Sequence, residues 1–391
     1  MSKVISLLEN ELQKPFLAGA RRQLDWERSA IVDYDYVEPD RAFAQKLGET
    51  DVFSEPRDLS QEARKWSDVE SRFRFFLDGS RRTYRVADVP LDSKCLPILA
   101  GQVGVAACER REKRLRAPND YRTRYVLAVP RGLDKAGKSD ASHRAFFKAK
   151  LDAVNAELAA CSPNASFQLD EILFYDDSGV DNFEDRAVAK INDYMIRLEK
   201  ETVKELVARN RLKDDAWLIK DGSLEYAKID RSDPFAYAKI RGNYKRVVGV
   251  SKSFNPELAR LQKGKKNAKS ASQMIAALKP FERTPAFMYE TSRVDGRFAV
   301  WYLRLRAQTT WSRGPFDGVV KLEKILVTDE ERELGLPTAV VDKISAWVLN
   351  ERNPVCYGKD ARWANVLYPI HLTETFIKSR YLSSDHFLRL F

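Results

Sequence analysis

The tripeptide Asp-Gly-Ser occurs twice in this 391-residue chain, at residues 78–80 and 221–223, each time after an apolar run. A single Asp-Gly is usually a turn. Two copies at the ends of predicted strands favour a shared site, because loops leave the sheet there and a glycine lets a phosphate approach closely. We therefore expect Asp78 and Asp221 to form one carboxylate site.

A long predicted helix between the two copies supplies a third carboxylate. Phe183–Asn210 carries apolar residues at helical spacing, and on a helical wheel Glu199 lies in the middle of the apolar stripe while Glu201 lies opposite. A buried carboxylate must be paired, protonated or bound to a cation, so Glu199 is either a metal ligand or the partner of an inward Arg or Lys. Two Asp and one Glu form a hard oxygen set that suits Mg²⁺ or Mn²⁺. Such an ion can hold a phosphodiester and activate an attacking water.

Two further residues stand at the ends of predicted elements. Lys252 ends the predicted strand Arg246–Lys252, where its charge could contact a scissile phosphate, although an ordinary surface lysine fits as well. Tyr368 precedes a closing helix predicted from about Leu372. Its hydroxyl could reach the same pocket, although the residues alone favour a packed aromatic.

The elements that must position these residues are strands and helices in a mixed order. The predicted strands are Phe73–Asp78, Thr83–Pro90, Leu96–Glu109, Tyr125–Pro130, Ala216–Asp221, Arg246–Lys252, Arg297–Ala307 and its antiparallel neighbour Val319–Glu323. The predicted helices are Ser142–Ala160, Phe183–Asn210, Ser272–Leu278 and Thr338–Asn350. This pattern indicates an α/β domain over residues 70–391. Residues 1–70 are predicted to form a mainly helical N-terminal extension.

The charge of the chain is unevenly distributed. Its 67 Lys and Arg against 57 Asp and Glu give a net charge of +10. Ten of these basic residues lie in Lys239–Lys269 with Glu257 as the single acid, which suits a polyanion, although a solvated loop is the alternative. The candidate residues for binding a polyanion are Lys245, Arg246, Lys263, Lys265 and Lys266. We expect neutralisation of the last three to weaken this binding and to flatten its salt dependence.

Composition excludes several other classes of protein. A 44% hydrophobic content can fill a core, so a disordered chain is excluded. The longest weakly polar run, Cys95–Cys108, is too short to span a membrane, and the first thirty residues lack a signal core, so we expect a cytoplasmic protein. Four scattered cysteines and three histidines indicate neither a disulfide framework nor a zinc site.

The order of these motifs resembles that of the NurA nucleases. The resemblance covers about residues 70–391 and rests on the Asp-Gly-Ser copies, the helix with an inward Glu, and the segments Val-Gly-Val-Ser-Lys, Val-Lys-Leu-Glu and Tyr-Pro-Ile-His-Leu. It implies an RNase H-like mixed β-sheet flanked by helices and a Mn²⁺- or Mg²⁺-dependent nuclease that cuts single-stranded DNA and resects duplex ends. It also implies a homodimer docked on a HerA-like hexameric ATPase. The residues it implies are Asp78, Glu199 and Asp221 as metal ligands, with Lys252 and Tyr368 as further catalytic residues.

The chain departs from the family at its last helix. NurA proteins have an Ala-His pair after the Tyr-Pro segment, whereas this chain reads Leu372–Thr375 there. His371 occupies the position of a family Pro, and Glu374 offers a replacement oxygen ligand. Two alternatives therefore accompany the nuclease hypothesis, namely a non-catalytic DNA-binding subunit and an RNA-directed RNase H-like enzyme. Residues 1–70 are the predicted surface for dimerisation or docking on the motor.

Overall fold

A single mixed β-sheet of fourteen strands forms the centre of the described chain. The computed structural model describes residues 3–17, 21–24, 43–51, 53, 55–118, 121–161, 167–224, 236–256, 271–290, 297–310, 312, 314–356 and 363–391. The strands are β1 (Arg22–Gln23), β2 (Phe43–Leu47), β3 (Arg57–Asp58), β4 (Phe73–Leu91), β5 (Lys94–Arg111), β6 (Arg114–Arg116), β7 (Arg122–Pro130), β8 (Glu171–Tyr175), β9 (Trp217–Asp221), β10 (Val247–Ser251), β11 (Glu282–Arg283), β12 (Phe287–Glu290), β13 (Arg297–Arg304) and β14 (Val319–Ile325).

Helices cover both faces of this sheet. They are α1 (Lys3–Leu12), α2 (Ser60–Lys65), α3 (Asp140–Cys161), α4 (Phe183–Ala208), α5 (Ala236–Tyr244), α6 (Ala271–Ala277), α7 (Asp329–Leu334), α8 (Thr338–Asn350), α9 (Tyr368–Lys378) and α10 (Ser384–Leu390), with short 3₁₀ turns at Arg131–Leu133 and Trp363–Asn365. No helix in the described ranges is long and apolar enough to cross a membrane. The chain is therefore a mixed α/β protein with a large mixed sheet flanked by helices.

The strand order places three parallel strands side by side. Along the main path it is β2-β12-β13-β14-β10-β9-β4-β5-β7-β8. Strands β4, β9 and β10 run parallel, while β4, β5 and β7 form an antiparallel meander. On the other side of β10, strands β14 and β13 are antiparallel, as the sequence predicted for this pair. The carboxyl ends of β9 and β10 consequently meet at one edge of the sheet.

Alternation along the parallel strands creates a core on each face of the sheet. On one face Phe76 packs in a cluster with Ile344 of α8. On the other face Leu77 packs in a cluster with Ile191 of α4. Because consecutive residues of a strand point to opposite faces, the side chains of two consecutive residues at the end of a strand are also separated by the sheet.

The first Asp-Gly-Ser does not end a strand, so that prediction was wrong. Strand β4 is nineteen residues long and includes both predicted segments, Phe73–Asp78 and Thr83–Pro90. Gly79 and Ser80 pair with β5 in the antiparallel ladder, which satisfies their backbone groups without a turn. The glycine instead permits close packing, since a Cβ at this position would lie 2.5 Å from Oε1 of Glu199.

Most other element predictions are confirmed with small changes at the ends. They are the strands seen as β5, β7, β9, β10, β13 and β14 and the helices seen as α3, α4, α6 and α8. The closing helix begins at Tyr368 rather than near Leu372. Pro369 explains the earlier start, because proline is favoured in the first helical turn, where its missing N–H costs nothing.

The described residues before position 70 join the same sheet as the rest of the chain. Helices α1 and α2 are accompanied there by three short strands, which the prediction of a mainly helical segment did not include. Strand β1 pairs with β4, β2 with β12 and β3 with β11. The division of the chain at residue 70 stays a prediction, but these segments complete the edges of the sheet.

A buried ion cluster fastens this N-terminal segment. The Arg283 guanidinium is fully buried and donates to both carboxylate oxygens of Glu49, at 2.9 and 2.8 Å, and to Oδ1 of Asp342 at 2.6 Å. Glu49 also accepts from the backbone N–H of Ala286. The arginine charge is thus compensated by two carboxylates from distant parts of the sequence.

We expect Glu49→Gln to lower the free energy of unfolding by about 2 kcal/mol, because hydrogen bonds to charged groups contribute about 1.5–3 kcal/mol each. The measurement is urea denaturation followed by circular dichroism. Glu330→Gln, at an exposed position on α7, is the matched control and should change stability by less than about 0.5 kcal/mol. Equal stability of the two variants would contradict a structural role for the segment.

Candidate active site

The structure brings Asp78 and Asp221 together. Strands β4 and β9 are parallel neighbours, and Leu77 pairs with Lys220, so the two aspartates occupy the next position on adjacent strands. Adjacent strands lie about 4.8 Å apart. The side chain of Asp78 is buried, and that of Asp221 is partly exposed at the end of β9. Two carboxylates therefore share one face of the sheet.

Lys252 completes this cluster, and its side chain is only 8% exposed, unlike that of an ordinary surface lysine. It follows directly after β10, and its Nζ lies 3.1 Å from Oδ2 of Asp221 and 3.4 Å from Oε2 of Glu374 on α9. Asn365 fixes the backbone at this point, since its Nδ2 donates to the carbonyl of Lys252 at 3.1 Å. Glu374 is also bound by Lys378 at 2.6 Å. The Lys252 ammonium is held between a strand end and a helix.

The pKa shifts in the cluster follow from burial and from like charges. Burial raises the pKa of Asp78 well above its usual range, and the negative charge of Asp221 raises it further, while Lys252 opposes both effects. Burial alone would lower the pKa of Lys252, but the charges of Asp221, Glu374 and Asp78 outweigh it and raise the pKa. The cluster therefore combines three acids with Lys252, and Lys378 adds a second cation on Glu374.

Glu199 points inward, as the helical wheel predicts, but it lies on the other face of the sheet. Its Oε2 is 2.9 Å from Nζ of Lys220, and both side chains are almost inaccessible to solvent. Lys220 and Asp221 are consecutive in β9 and so face opposite sides. Burial raises the pKa of Glu199, and Lys220 counteracts this. The geometry thus shows the ion pair with an inward lysine that the sequence left open as an alternative to metal ligation.

The second Asp-Gly-Ser ends its strand as predicted. Gly222 has φ +82°, in the left-handed region that favours glycine, and turns the chain away after Asp221. The carboxylate of Glu323 on β14 then accepts hydrogen bonds from Ser223 Oγ at 2.8 Å and from the N–H of Leu224 at 2.6 Å. This acid fixes the loop beside Asp221.

Sequence reasoning did not assign Glu323 a role. Burial alone would raise its pKa, but Lys321, 2.6 Å away, and the two hydrogen bonds outweigh burial and lower it. The carboxylate is therefore an anchor that stays charged. Its signal in the sequence is an acid within the apolar strand Val319–Glu323, but a strand pattern does not reveal which loop such an acid binds.

The remaining predicted residues have mixed positions. Tyr368 is the first residue of α9 and is half-buried, and its backbone N–H donates to the carbonyl of Glu351 at 3.2 Å. His371 is exposed on the same helix. Tyr368 thus begins the helix that carries Glu374.

The basic candidates do not all surround Lys252. Lys245 and Arg246 precede β10, whereas Lys252 follows it, and a five-residue strand spans about 17 Å. Arg246 is paired with Asp214 at 2.8 Å. Lys245 and Arg246 therefore lie at the other end of β10 from Lys252. The other three candidates, Lys263, Lys265 and Lys266, lie outside the described residues.

The donor set can be tested against a metal ion. Within the described ranges no group of three or more His, Cys, Asp or Glu side chains is placed to hold one. Mg²⁺, however, is commonly bound by one or two carboxylates together with waters and substrate phosphates. Asp78 and Asp221 form such a pair of hard oxygen donors. Their oxygen atoms are of the type that Mg²⁺ and Mn²⁺ prefer.

A comparison with protein-family models found no matching family, and a search of curated proteins found no match. The class of protein that the fold and the site define is a mixed α/β protein. Its distinguishing feature is the buried Asp78 beside the partly exposed Asp221 and Glu374, with the ammonium of Lys252 between the last two, next to the carboxyl ends of parallel strands.

Proposed function

We propose that this chain is a metal-dependent DNA nuclease that hydrolyses phosphodiesters in single strands and at duplex ends. The observation that carries the proposal is the pair Asp78 and Asp221 on adjacent strands, with Oδ2 of Asp221 3.1 Å from Nζ of Lys252. These two aspartates would hold Mn²⁺ or Mg²⁺, and the ion would supply an activated water and charge for the leaving oxygen.

Lys252 has the role of binding the phosphate in this proposal. An ammonium is a compact point charge that suits a phosphate oxygen, and burial strengthens its electrostatic effect. Glu374 and Asp221 position it from two sides. In this proposal Glu374 stands where the NurA family has a histidine, and it would orient the lysine and offer a further oxygen near Asp78 and Asp221.

An RNase H-like fold is part of the proposal. It is supported by the antiparallel meander β4-β5-β7 that continues into the parallel strands β9 and β10, with helices on both faces. The aspartates of the site come from two adjoining parallel strands of this sheet. Helix α4 and helix α9 then enclose the two faces.

The partners follow from the same resemblance. We propose a cytoplasmic homodimer that works with a HerA-like hexameric ATPase in DNA end resection or in defence against phage DNA. Co-expression of the chain with such an ATPase, followed by size-exclusion chromatography with light scattering, tests this. A chain that elutes as a monomer and separates from the motor at every salt concentration would contradict the assembly.

The activity is tested with purified protein and end-labelled single-stranded DNA, in Mn²⁺, in Mg²⁺ and in EDTA. We expect cleavage in Mn²⁺ or in Mg²⁺ and none in EDTA. The control variant Asp92→Asn, at the exposed turn between β4 and β5, should retain this cleavage. An RNA–DNA hybrid is included as a second substrate. Preference for the hybrid would indicate an RNA-directed activity instead of a DNA nuclease. No cleavage of any substrate would contradict the proposal that the chain is an enzyme.

A non-catalytic DNA-binding subunit is the second candidate. It is favoured by the position of Lys252, which already provides a positive charge between Asp221 and Glu374. In that case the chain binds DNA in EDTA as strongly as in Mn²⁺. It would also fail to cleave even when its motor is present.

We expect Lys252→Gln to reduce kcat by about 10²-fold, the size of effect seen when one charge-stabilising donor is removed from an active site. The metal-free variant should also be less stable, because its carboxylates lose their shared cation. Mn²⁺ should consequently raise its Tm more than it raises that of the wild type. Thermal unfolding with and without Mn²⁺ measures this, with Lys65→Gln at an exposed position of α2 as the control. A smaller Mn²⁺ effect in the variant would contradict metal binding at this cluster.

A further inference from the structure

A basic cleft lies at the opposite end of the parallel strands from the carboxylates. Its volume is about 490 Å³, and it is bordered by the start of β4, the end of β5 and the turn before β9. The charged residues that line it are Arg74, Glu109, Arg111, Arg211, Lys213 and Asp215. Four cations against two acids give this surface a net positive charge. A concave basic surface of this size suits an anionic ligand.

An irregularity in β4 places one of these cations. The pairing of β4 with β9 shifts register between Phe73 and Phe75, so that Arg74 is an extra residue in the ladder. Such bulges redirect a side chain, and here Arg74 joins the lining of the cleft. Its Nε is buried and has no hydrogen-bond partner among the described residues.

Glu109 positions two more of the cations but binds only some of their N–H donors. Its Oε2 lies 2.7 Å from Nη2 of Arg111 and 2.7 Å from Nη2 of Arg211. Burial alone would raise the pKa of Glu109, but the two arginines outweigh it and lower the pKa. A guanidinium has several N–H donors in a fixed fork, so a single carboxylate leaves most of them for another acceptor. Arg211 is further held over the ring of Phe75, with its Cζ 5.3 Å from the ring centroid.

We propose that this cleft is a second, metal-independent site that binds a phosphate group. Arginines held by a carboxylate and a ring are preorganised for bidentate binding of phosphate oxygens. Phe75, in the cleft, precedes Asp78 by about 10 Å along β4. The phosphate comes either from a nucleic-acid backbone or from a free phosphate compound. The proposal does not depend on nuclease activity, because neither Asp78 nor Asp221 lines the cleft.

The test uses Arg111→Gln/Lys213→Gln in full-length protein, in EDTA, so that cleavage plays no part. Fluorescence anisotropy with a labelled single-stranded oligonucleotide at several salt concentrations gives the salt slope of binding. Isothermal titration with inorganic pyrophosphate measures the second source of phosphate. Lys65→Gln/Lys190→Gln, with the same change of charge at exposed positions elsewhere, is the control. Thermal unfolding checks that both variants are folded.

We expect the cleft variant to bind the oligonucleotide about tenfold more weakly and with a salt slope reduced by about 1–2, since each lost phosphate contact lowers the slope by about 1. If only the binding of pyrophosphate is weakened and the salt slope of oligonucleotide binding is unchanged, the ligand of the cleft is a free phosphate compound. If both ligands bind the cleft variant and the control variant equally, the proposal is overturned. The single variant Arg74→Gln, at the bulge, should reproduce part of the effect.

Discussion

Replacing Asp78 by Asn is expected to reduce metal-dependent cleavage by about 10³-fold, because a metal ion contributes several kcal/mol to stabilising the transition state and each ~1.4 kcal/mol is a factor of ten. Asn keeps the shape of the side chain but removes the charge that binds the ion. The same substitution should raise the Tm of the metal-free protein. Loss of activity with a gain of stability is a combination that a general folding defect cannot produce.

The gain of stability follows from the sign of the pKa shift. Burial and then the charge of Asp221 raise the pKa of Asp78 in the folded state above its ordinary value of 3.8. The folded state thus binds this proton more tightly than the unfolded chain does, so stability is lost as pH rises from that ordinary value towards the folded pKa. The asparagine of the variant has no proton to lose. The difference in Tm between variant and wild type should therefore grow as pH increases.

The measurements are cleavage of labelled single-stranded DNA in Mn²⁺ and thermal unfolding in EDTA from about pH 5 to about pH 8, above the ordinary carboxyl range. Asp92→Asn serves as the control, since this aspartate is exposed at the turn between β4 and β5. Mn²⁺ should stabilise the wild type and have little effect on Asp78→Asn. If Asp78→Asn cleaves DNA like the wild type, Asp78 is not part of the catalytic site.

The two copies of Asp-Gly-Ser show where sequence patterns reach their limit. Both follow an apolar run, but the copy at residues 78–80 continues as a strand because β5 pairs with it, whereas the copy at residues 221–223 turns at Gly222. Identical local residues have different structures, and the difference lies in tertiary pairing. Most of the longer strands and helices after residue 70 were predictable because hydrophobic periodicity is local.

The site shows the same distinction between local and distant information. A helical wheel predicts that Glu199 faces the sheet, and it does. The identity of its partner, Lys220, depends on which residues of β9 face α4, and the register of the strand pairing decides this. The contact of Lys252 with Glu374 joins residues 122 positions apart. Asn365, which binds the backbone of Lys252, is also set by packing and has no local signal.

Removing the partner of Glu199 is expected to have the largest effect on stability. In Lys220→Met the carboxylate of Glu199 stays buried beneath α4 without its cation, and breaking a buried ion pair in this way costs about 3–5 kcal/mol. The side chain of Met is of similar length, so packing contributes little to the loss. Urea denaturation measures the free energy of unfolding, with Lys204→Met at an exposed position of α4 as the control.

The double variant Glu199→Gln/Lys220→Met then separates the two roles of Glu199. With both charges removed, it should be more stable than Lys220→Met, because neither partner is left as a lone buried charge. If Glu199 is the structural partner of Lys220, the double variant also keeps most of its Mn²⁺-dependent cleavage. If it folds as well as the wild type but is as inactive as Asp78→Asn, Glu199 has a role in catalysis beyond its ion pair with Lys220.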